Sequence, residues 1–125
     1  MTINELRIQL DFYPENRIDI LENTARKCSN GYLFVDSLDG HCYLFDKNGN
    51  EDDVKKLKKI DDSIFYNSNI ESIVIPDFVE IIGDDAFENC GSLKSLTFKG
   101  KTMKQIKEMK NYPFGIKDES IIRCI

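Results

Sequence analysis

One apolar pattern is written twice between residues 57 and 98, and it constrains the fold more than any other feature of the chain. The first copy is Leu57, Ile60, Phe65, Asn67, Ile70, Ile73 and Ile75, and the second is Val79, Ile82, Phe87, Asn89, Leu93, Leu96 and Phe98. Up to the Asn the copies are 22 residues apart, and after it they are 23 apart, so the second copy has one extra residue near positions 90–91. Such a repeat is typical of a solenoid, in which each unit buries its apolar face against its neighbour.

Each copy ends in a short β-rich run, at residues 73–75 and 96–98. Because successive side chains of a strand point to opposite faces, alternation assigns one set to the core and another to the surface. The inward positions are Ile73, Ile75, Leu96 and Phe98. The outward positions, Ser72, Val74, Ser95 and Thr97, are the first candidate contact face for a partner. Asn67 and Asn89 are predicted to hydrogen-bond loop backbone.

The region before the repeats, residues 1–56, predicts two helices followed by a β-hairpin. Apolar residues recur at helical spacing over residues 3–12 and again over 15–27. The runs 32–36 and 42–46 are rich in β-forming residues, and Asp39-Gly40 between them is a strong turn signal.

The region after the repeats, residues 99–125, predicts a helical C-terminal cap. Residues 102–111 place Met103, Ile106 and Met109 on one stripe, and Thr102 precedes them as a candidate N-cap. Residues 121–125 are apolar enough to add a last strand. A solenoid needs its open end covered, which is the role that we assign to this segment.

The charge is unevenly distributed along the chain. Residues 99–125 contain seven Lys or Arg residues against three acids, a net charge of +4, so residues 1–98 carry −9 of the total of −5. A strongly acidic body argues against direct binding of nucleic acid, which needs a basic surface. It suits a basic protein surface, and the acidic run Glu51, Asp52 and Asp53 is the second candidate contact surface.

The chain has no apolar run long enough for a transmembrane helix, and its first ten residues do not resemble a signal peptide. We therefore expect a cytoplasmic protein with no membrane contact. The four cysteines, Cys28, Cys42, Cys90 and Cys124, are then interpreted as reduced thiols buried in the core, because no two have the spacing of a zinc or redox motif.

No catalytic or metal-binding constellation emerges from the sequence. His41 and Cys42 are adjacent, so on a strand their side chains diverge. Residues 46–57 resemble a calcium loop, but the position that requires glycine is Glu51 and the closing acid is replaced by Leu57. The acidic pairs 61–62 and 84–85 are either paired carboxylates or, as is commoner, solvent-facing turns. We therefore predict no enzyme, no metal and no cofactor.

The second copy resembles the BspA-type leucine-rich repeat, whose pattern is I-x-I-P-x-x-V-x-x-I-G-x-x-A-F-x-x-C-x-x-L. The matching residues are Ile73, Ile75, Pro76, Val79, Ile82, Gly83, Ala86, Phe87, Cys90 and Leu93. The first copy departs from the pattern at Asp61, Ile64 and Ser68. Residues 98–116 are similar to the closing segment of such proteins, so the resemblance covers about residues 57–116. It implies a parallel-sheet solenoid that binds macromolecules through a strand face, without enzymatic activity or cofactor.

The fold that we predict is one compact α/β domain spanning residues 1–125. A helix-plus-β-hairpin region, residues 1–56, packs on a truncated leucine-rich-repeat solenoid, residues 57–98, and residues 99–125 form a helical C-terminal cap.

The function that we predict is a non-enzymatic protein–protein interaction module. A sharper form of this hypothesis is a phage or mobile-element inhibitor, similar to an anti-CRISPR protein, that binds a host protein. Two alternatives stay open. One is a ligand-binding or enzymatic domain in residues 1–56, with a pocket lined by Tyr13, Tyr32, His41 and Tyr43. The other is a structural protein that forms homo-oligomers through an edge strand.

Overall fold

A computed structural model describes residues 25–28, 31–36, 39–46 and 51–125. Its strands are β1 (Ala25–Cys28), β2 (Gly31–Val35), β3 (Cys42–Phe45), β4 (Glu51–Asp52), β5 (Lys59–Ile60), β6 (Ser72–Ile75), β7 (Ile81–Ile82), β8 (Ser95–Phe98) and β9 (Ile122–Cys124). The α-helix α1 spans Met103–Lys107, and 3-10 helices span Val54–Lys56 and Glu119–Ile121. Over this part of the chain, no helix has the length and apolarity that a membrane span requires.

The two sequence copies lie side by side as parallel strands, in the predicted register. Lys59 and Ile60 of β5 pair with Ile81 and Ile82 of β7, an offset of 22 residues. Ser72 of β6 pairs with Ser95 of β8, and Ile75 pairs with Phe98, an offset of 23. The inward residues Ile73, Ile75, Leu96 and Phe98 are all buried. Both the one-residue shift between the copies and the inward set are therefore confirmed.

The turn of each copy has the same backbone shape, with left-handed residues at matching positions. Ser63 and Asp85 both have φ of 53°, and Asn67 and Asn89 both have φ of 60°. Asn tolerates this region better than most residues do. The two Asn side chains bond each other, because Asn89 Nδ2 donates to Asn67 Oδ1. The bond between these side chains crosses the two copies, whereas the sequence predicted bonds to loop backbone.

Inside the turns, the copies are held together by stacked rings and by one carboxylate. The rings of Phe65 and Phe87 lie 5.8 Å apart between centroids and nearly parallel. Asp62 Oδ1 accepts a hydrogen bond of 2.9 Å from the Asp84 N–H. The acidic turns therefore link the copies through a bond from a backbone N–H to a carboxylate.

The closing segment contains a shorter helix than predicted, followed by a strand. The helix was predicted over residues 102–111, but α1 ends at Lys107. Thr102 is its N-cap, and a reciprocal pair of bonds with Gln105 forms a capping box. Beyond α1 the chain adopts φ of 72° at Asn111, whose side chain donates to the Ile82 carbonyl, and these constraints are incompatible with a continuing helix. The predicted last strand is present as β9, which pairs in parallel with β8.

Before the repeats, β1 to β4 form an antiparallel sheet in chain order. The predicted hairpin is confirmed, since Tyr32 pairs with Phe45 and Val35 pairs with Cys42. The helix predicted over residues 15–27 is wrong at its C-terminal end, because Ala25–Cys28 form β1 and pair with β2. Four residues are too few to separate a period of 3.6 from a period of 2, so the neighbouring strand decides. Residues 3–12 and 15–24 of the predicted helices lie outside the described residues.

The antiparallel sheet and the repeats share one hydrophobic cluster. Leu33 and Val35 of β2 and Cys42 of β3 belong to the same cluster as the inward residues of β6 and β8. Tyr32 and Phe34, on the opposite face of β2, are buried as well. Because apolar side chains are buried on both faces of β2, its sequence is hydrophobic almost throughout.

Gly83 provides a sharp test of the contact between the copies. A Cβ at this position would lie 2.4 Å from the Asp62 nitrogen and 2.5 Å from the Asp61 carbonyl carbon. These are backbone atoms of the preceding copy, so displacing them costs free energy. We expect Gly83→Ala to lower the free energy of unfolding by about 1–3 kcal/mol, as measured by urea denaturation.

The matched control is Gly91→Ala, because a Cβ at Gly91 would meet nothing within 4 Å. We expect this variant to stay within about 0.5 kcal/mol of the wild type. Equal stability of the two variants would show that the copies are not in the close contact described.

Candidate functional site

The four predicted contact residues of the repeats lie together on one side of a three-stranded parallel sheet. Ser72 is the register partner of Ser95, and Val74 is the partner of Thr97. All four side chains are half-buried, whereas their strand neighbours Ile73 and Leu96 are fully buried. The side chains of this row are short and lie on adjacent strands about 4.8 Å apart. At the β6 end the hairpin turn already lies against them, since a Cβ at Gly40 would be 2.9 Å from the Ser72 hydroxyl oxygen.

Two cations extend this row, and the sequence analysis did not include them. Arg123 of β9 is the register partner of Thr97 and is exposed. Lys99 is two residues beyond Thr97 and exposed, and its N–H still donates to the Ile75 carbonyl at 3.0 Å. Strand alternation therefore places Arg123 on the side of Thr97, and Lys99 lies in the turn that directly follows β8. We call the six residues Ser72, Val74, Ser95, Thr97, Lys99 and Arg123 the strand face.

The signal for Arg123 was present in the sequence but weak. Ile122 is buried and Arg123 is exposed, but Cys124 is exposed as well, so burial does not alternate along β9. Assigning it a neighbour required the register of β9. That offset is 26 residues, from Leu96 to Ile122, and it differs from the 22 and 23 of the clear repeats.

The opposite edge of the sheet, at β6, is covered by the hairpin turn. The Val74 N–H donates to the Gly40 carbonyl at 2.7 Å, and Cys42 Sγ lies 3.5 Å from the Val74 carbonyl oxygen. In the same turn, His41 Nδ1 lies 2.9 Å from Asp39 Oδ2, and the His41 N–H donates to Asp39 Oδ1. The hydrogen bond from the His41 backbone is the largest cause of the lowered pKa of Asp39. The hairpin turn therefore presents a paired acid and base at this edge.

The acidic residues of the second candidate surface take part in local structure. Asp52 Oδ1 accepts from Lys56 Nζ at 2.9 Å and from the Asp53 N–H at 2.8 Å. Asp53 is the N-cap of the following 3-10 helix, with Oδ1 accepting from the Lys55 N–H. The hydrogen bond from Lys56 holds the pKa of Asp52 below its ordinary value. Glu51 lies in β4. Binding of a partner at this surface stays a prediction.

A cleft of about 300 Å³ lies between the turn of the second copy and the closing segment. Phe87, Leu93 and Ile116 form apolar parts of its wall, and Cys90 and Lys117 also line it. The cleft arises because the chain segment that leads from the turn to the next strand is shorter in the closing segment than in the second copy. The Phe87 N–H donates to the Phe114 carbonyl, just as the Phe65 N–H of the first copy donates to the Ala86 carbonyl. The chain segment from Phe114 to Ile122 is two residues shorter than the corresponding segment from Ala86 to Leu96.

None of the residues proposed for a pocket in residues 1–56 lines this cleft. Tyr32 is buried, Tyr43 is half-buried and His41 is exposed, while Tyr13 lies outside the described residues. In the described part of the chain, no cluster of three or more His, Cys, Asp or Glu residues could hold a metal ion.

The four cysteines occupy different environments, all as free thiols. Burial raises the pKa of the Cys42 thiol to about 12, which makes it a poor nucleophile at neutral pH. Cys90 is half-buried, and its Sγ lies 2.9 Å from the Phe65 carbonyl oxygen. Burial also raises the pKa of Cys90. Cys124 is exposed, so the expectation of burial was wrong for that residue. His41 is exposed, whereas its neighbour in the sequence, Cys42, is buried.

The comparisons with known proteins place the repeat within a described family. Residues 54–117, slightly more than half of the chain, match the model of the BspA type leucine rich repeat region (6 copies). Comparison with curated proteins and with solved structures gives no match. Leucine-rich repeats generally act as interaction modules, in which stacked units build an extended binding surface.

The burial of the thiols predicts an order of reaction with iodoacetamide. We expect Cys124 to be alkylated first, Cys90 more slowly, and Cys42 only when the protein unfolds, because reaction requires an accessible thiolate. Mass spectrometry of peptides after timed quenching gives the rates, with urea-unfolded protein as the control. Alkylation of Cys42 at the rate of Cys124 in the native protein would contradict the docking of the hairpin on β6.

The ion pair of Asp52 predicts a dependence of stability on pH. A carboxyl whose pKa is lowered in the folded protein contributes stability above its unfolded pKa of about 3.9 and loses it as pH falls through the lowered value. We expect Asp52→Asn to unfold at lower urea than the wild type at neutral pH. The difference should vanish under acid conditions, below the folded pKa of Asp52.

The control for this measurement is Asp84→Asn, because the described residues place no hydrogen bond on the Asp84 carboxyl oxygens. It removes a carboxylate without removing a bond to lysine, so it should unfold at about the same urea concentration as the wild type at neutral pH. A constant difference between Asp52→Asn and the wild type at all pH values would contradict the role of the ion pair.

Proposed function

Because the chain belongs to the BspA-type leucine-rich repeat family, we propose that it is a non-enzymatic module that binds another protein through the strand face. The observation that carries the proposal is the side-by-side placement of Ser72 with Ser95 and of Val74 with Thr97. These outward positions alternate with the inward ones that build the core, and they form a row of short side chains across β6 and β8. A partner chain can lie along this row without meeting long side chains.

The β6 edge supports binding through the face of the sheet. Gly40 already occupies the hydrogen-bonding position beside Val74, which excludes addition of a partner strand at that point. Contact with side chains on the face remains. We also propose that the protein acts in the cytoplasm, in keeping with its free thiols.

A narrower form of the proposal is an inhibitor from a phage or mobile element that occupies a basic site on a host protein. The net charge of −9 on residues 1–98 supports this form, and it would use the acidic body and the Glu51–Asp52 strand in place of the strand face. Its support is by analogy with acidic inhibitors. Binding to the host protein that does not weaken with salt would contradict an electrostatic decoy.

Self-association is the second candidate function. Within the described residues β9 pairs with β8 on one side only, and Ile125 beside it is 75% exposed. An unpaired strand edge with an apolar neighbour can add a second copy of the chain. Light scattering on the purified protein distinguishes this case, because a stable homo-oligomer with no other partner would favour it.

The main proposal is tested by enlarging the centre of the strand face without changing its charge. We expect Val74→Tyr/Thr97→Tyr to weaken binding of the partner about tenfold or more, because two bulky rings prevent close approach. Tyrosine suits outward strand positions, so the sheet should be retained. The measurement is affinity capture from the source cytosol with quantitative mass spectrometry, followed by titration of the captured protein.

The matched control is Asn69→Tyr/Ser92→Tyr. These exposed loop residues are themselves 23 positions apart, three residues before β6 and β8 respectively. The control should capture the same protein as the wild type. If the Val74/Thr97 variant folds normally and still binds that protein with unchanged affinity, the strand face is not the binding surface.

A further inference from the structure

The outward positions of β6, β8 and β9 carry a charge opposite to that of the body. Two cations, Lys99 and Arg123, lie on the strand face, and its other four residues are hydroxyl or aliphatic. No carboxylate occupies an outward position of these three strands. The rest of the chain before residue 99 has a net charge of −9.

The two cations are available for binding. Both side chains are exposed, and the ion pairs that the structure gives for the described residues involve His41, Lys56 and Lys59 instead. Arg123 is beside Thr97 by register, and Lys99 lies in the turn two residues beyond Thr97. Their spacing across neighbouring strands is on the order of 5–8 Å, within reach of carboxylates on one segment.

The nearest acids in the sheet's surroundings lie at its ends. Glu71 precedes β6, and Asp77 lies beyond its C-terminal end, where the Asp77 side chain approaches Gly100. At the far edge Asp39 is already paired with His41. Asp77 therefore lies at the same end of the sheet as Lys99, whereas Arg123 has the uncharged Thr97 as its register partner.

Building on the proposed function, we infer that the strand face selects an acidic partner, a protein segment whose carboxylates lie against Arg123 and Lys99 while its backbone meets the hydroxyls of Ser95 and Thr97. Arg pairs with carboxylates in two parallel hydrogen bonds, and Ser and Thr both donate and accept. The net charge of −9 on residues 1–98 disfavours acidic chains on that part of the surface, and the lysine control below separates the strand face from the other exposed lysines of residues 99–125. A basic partner would instead face two unpaired cations.

The experiment measures fluorescence anisotropy of a short fluorescein-labelled polyglutamate peptide with the full chain at low salt. We expect Lys99→Glu/Arg123→Glu to weaken binding about tenfold, because each substitution replaces an attraction by a repulsion. Lys99→Gln/Arg123→Gln, which only removes the charges, should give a smaller loss. Amide NMR shifts on titration should map to β6, β8 and β9.

The matched control is Lys104→Glu/Lys110→Glu, which changes the total charge by the same amount at two exposed positions outside the strand face. It should bind polyglutamate nearly as the wild type does. Equal loss in both pairs, preference for polylysine, or no polyglutamate binding would overturn the inference. Tighter binding of a single-stranded oligonucleotide or of phosphatidylserine vesicles at the same residues would also overturn it.

The protein captured in the preceding experiment separates this inference from the proposed function. If Val74→Tyr/Thr97→Tyr abolishes capture and Lys99→Glu/Arg123→Glu leaves it intact, the strand face binds a partner that is not acidic. If the tyrosine pair leaves capture intact, the proposed function fails whatever the charge variants do.

Discussion

The contact of one repeat with the next is the constraint on which the rest of the structure depends. Gly83 lies against the backbone of Asp61 and Asp62, and Gly83 N donates to the Ile60 carbonyl at 2.6 Å. This close contact accompanies the parallel pairing of β6 with β8, in which Ile73 lies beside Leu96. At the equivalent position the first copy has Asp61, and the second has Gly83. Glycine is therefore required only where a preceding copy packs closely against this position, and the first copy has no such preceding copy.

Two units of this size are few for a solenoid, and both sides of the described sheet are extended by other means. In the hairpin turn the Gly40 carbonyl accepts a hydrogen bond from the Val74 N–H of β6, and strand β2 contributes Leu33 and Val35 to the same core. On the other side, β9 continues the parallel sheet and Phe114 continues the backbone ladder of the turns. The cleft beside Cys90 is a consequence, because the closing path is two residues shorter than the path that it follows.

Sequence reasoning succeeded where neighbouring copies repeat the same chemistry. The offsets of 22 and 23 were readable because seven positions kept their apolar or Asn character, and each such position is fixed by its equivalent in the next copy. It failed at β1, where Arg26 and its neighbours pair with β2 and local periodicity carries too little information. It also missed Arg123, since the offset of 26 and the replacement of Phe98 by Cys124 remove the resemblance that would have aligned β9.

The total charge of the chain is a poor description of the strand face that we propose as the binding surface. From the total of −5, a basic partner is the natural expectation. At physiological ionic strength, however, charges beyond a distance of about 8 Å are largely screened, so a partner interacts mainly with the charged groups directly beside it. Beside the strand face are Lys99 and Arg123, while Asp52 is paired with Lys56 and Asp39 with His41. The carboxylates of Asp39 and Asp52 therefore stabilise local turns and helix ends, whereas the described residues give the side chains of Lys99 and Arg123 no such structural role. Local charge on the strand face is therefore the better guide to the chemistry of its partner.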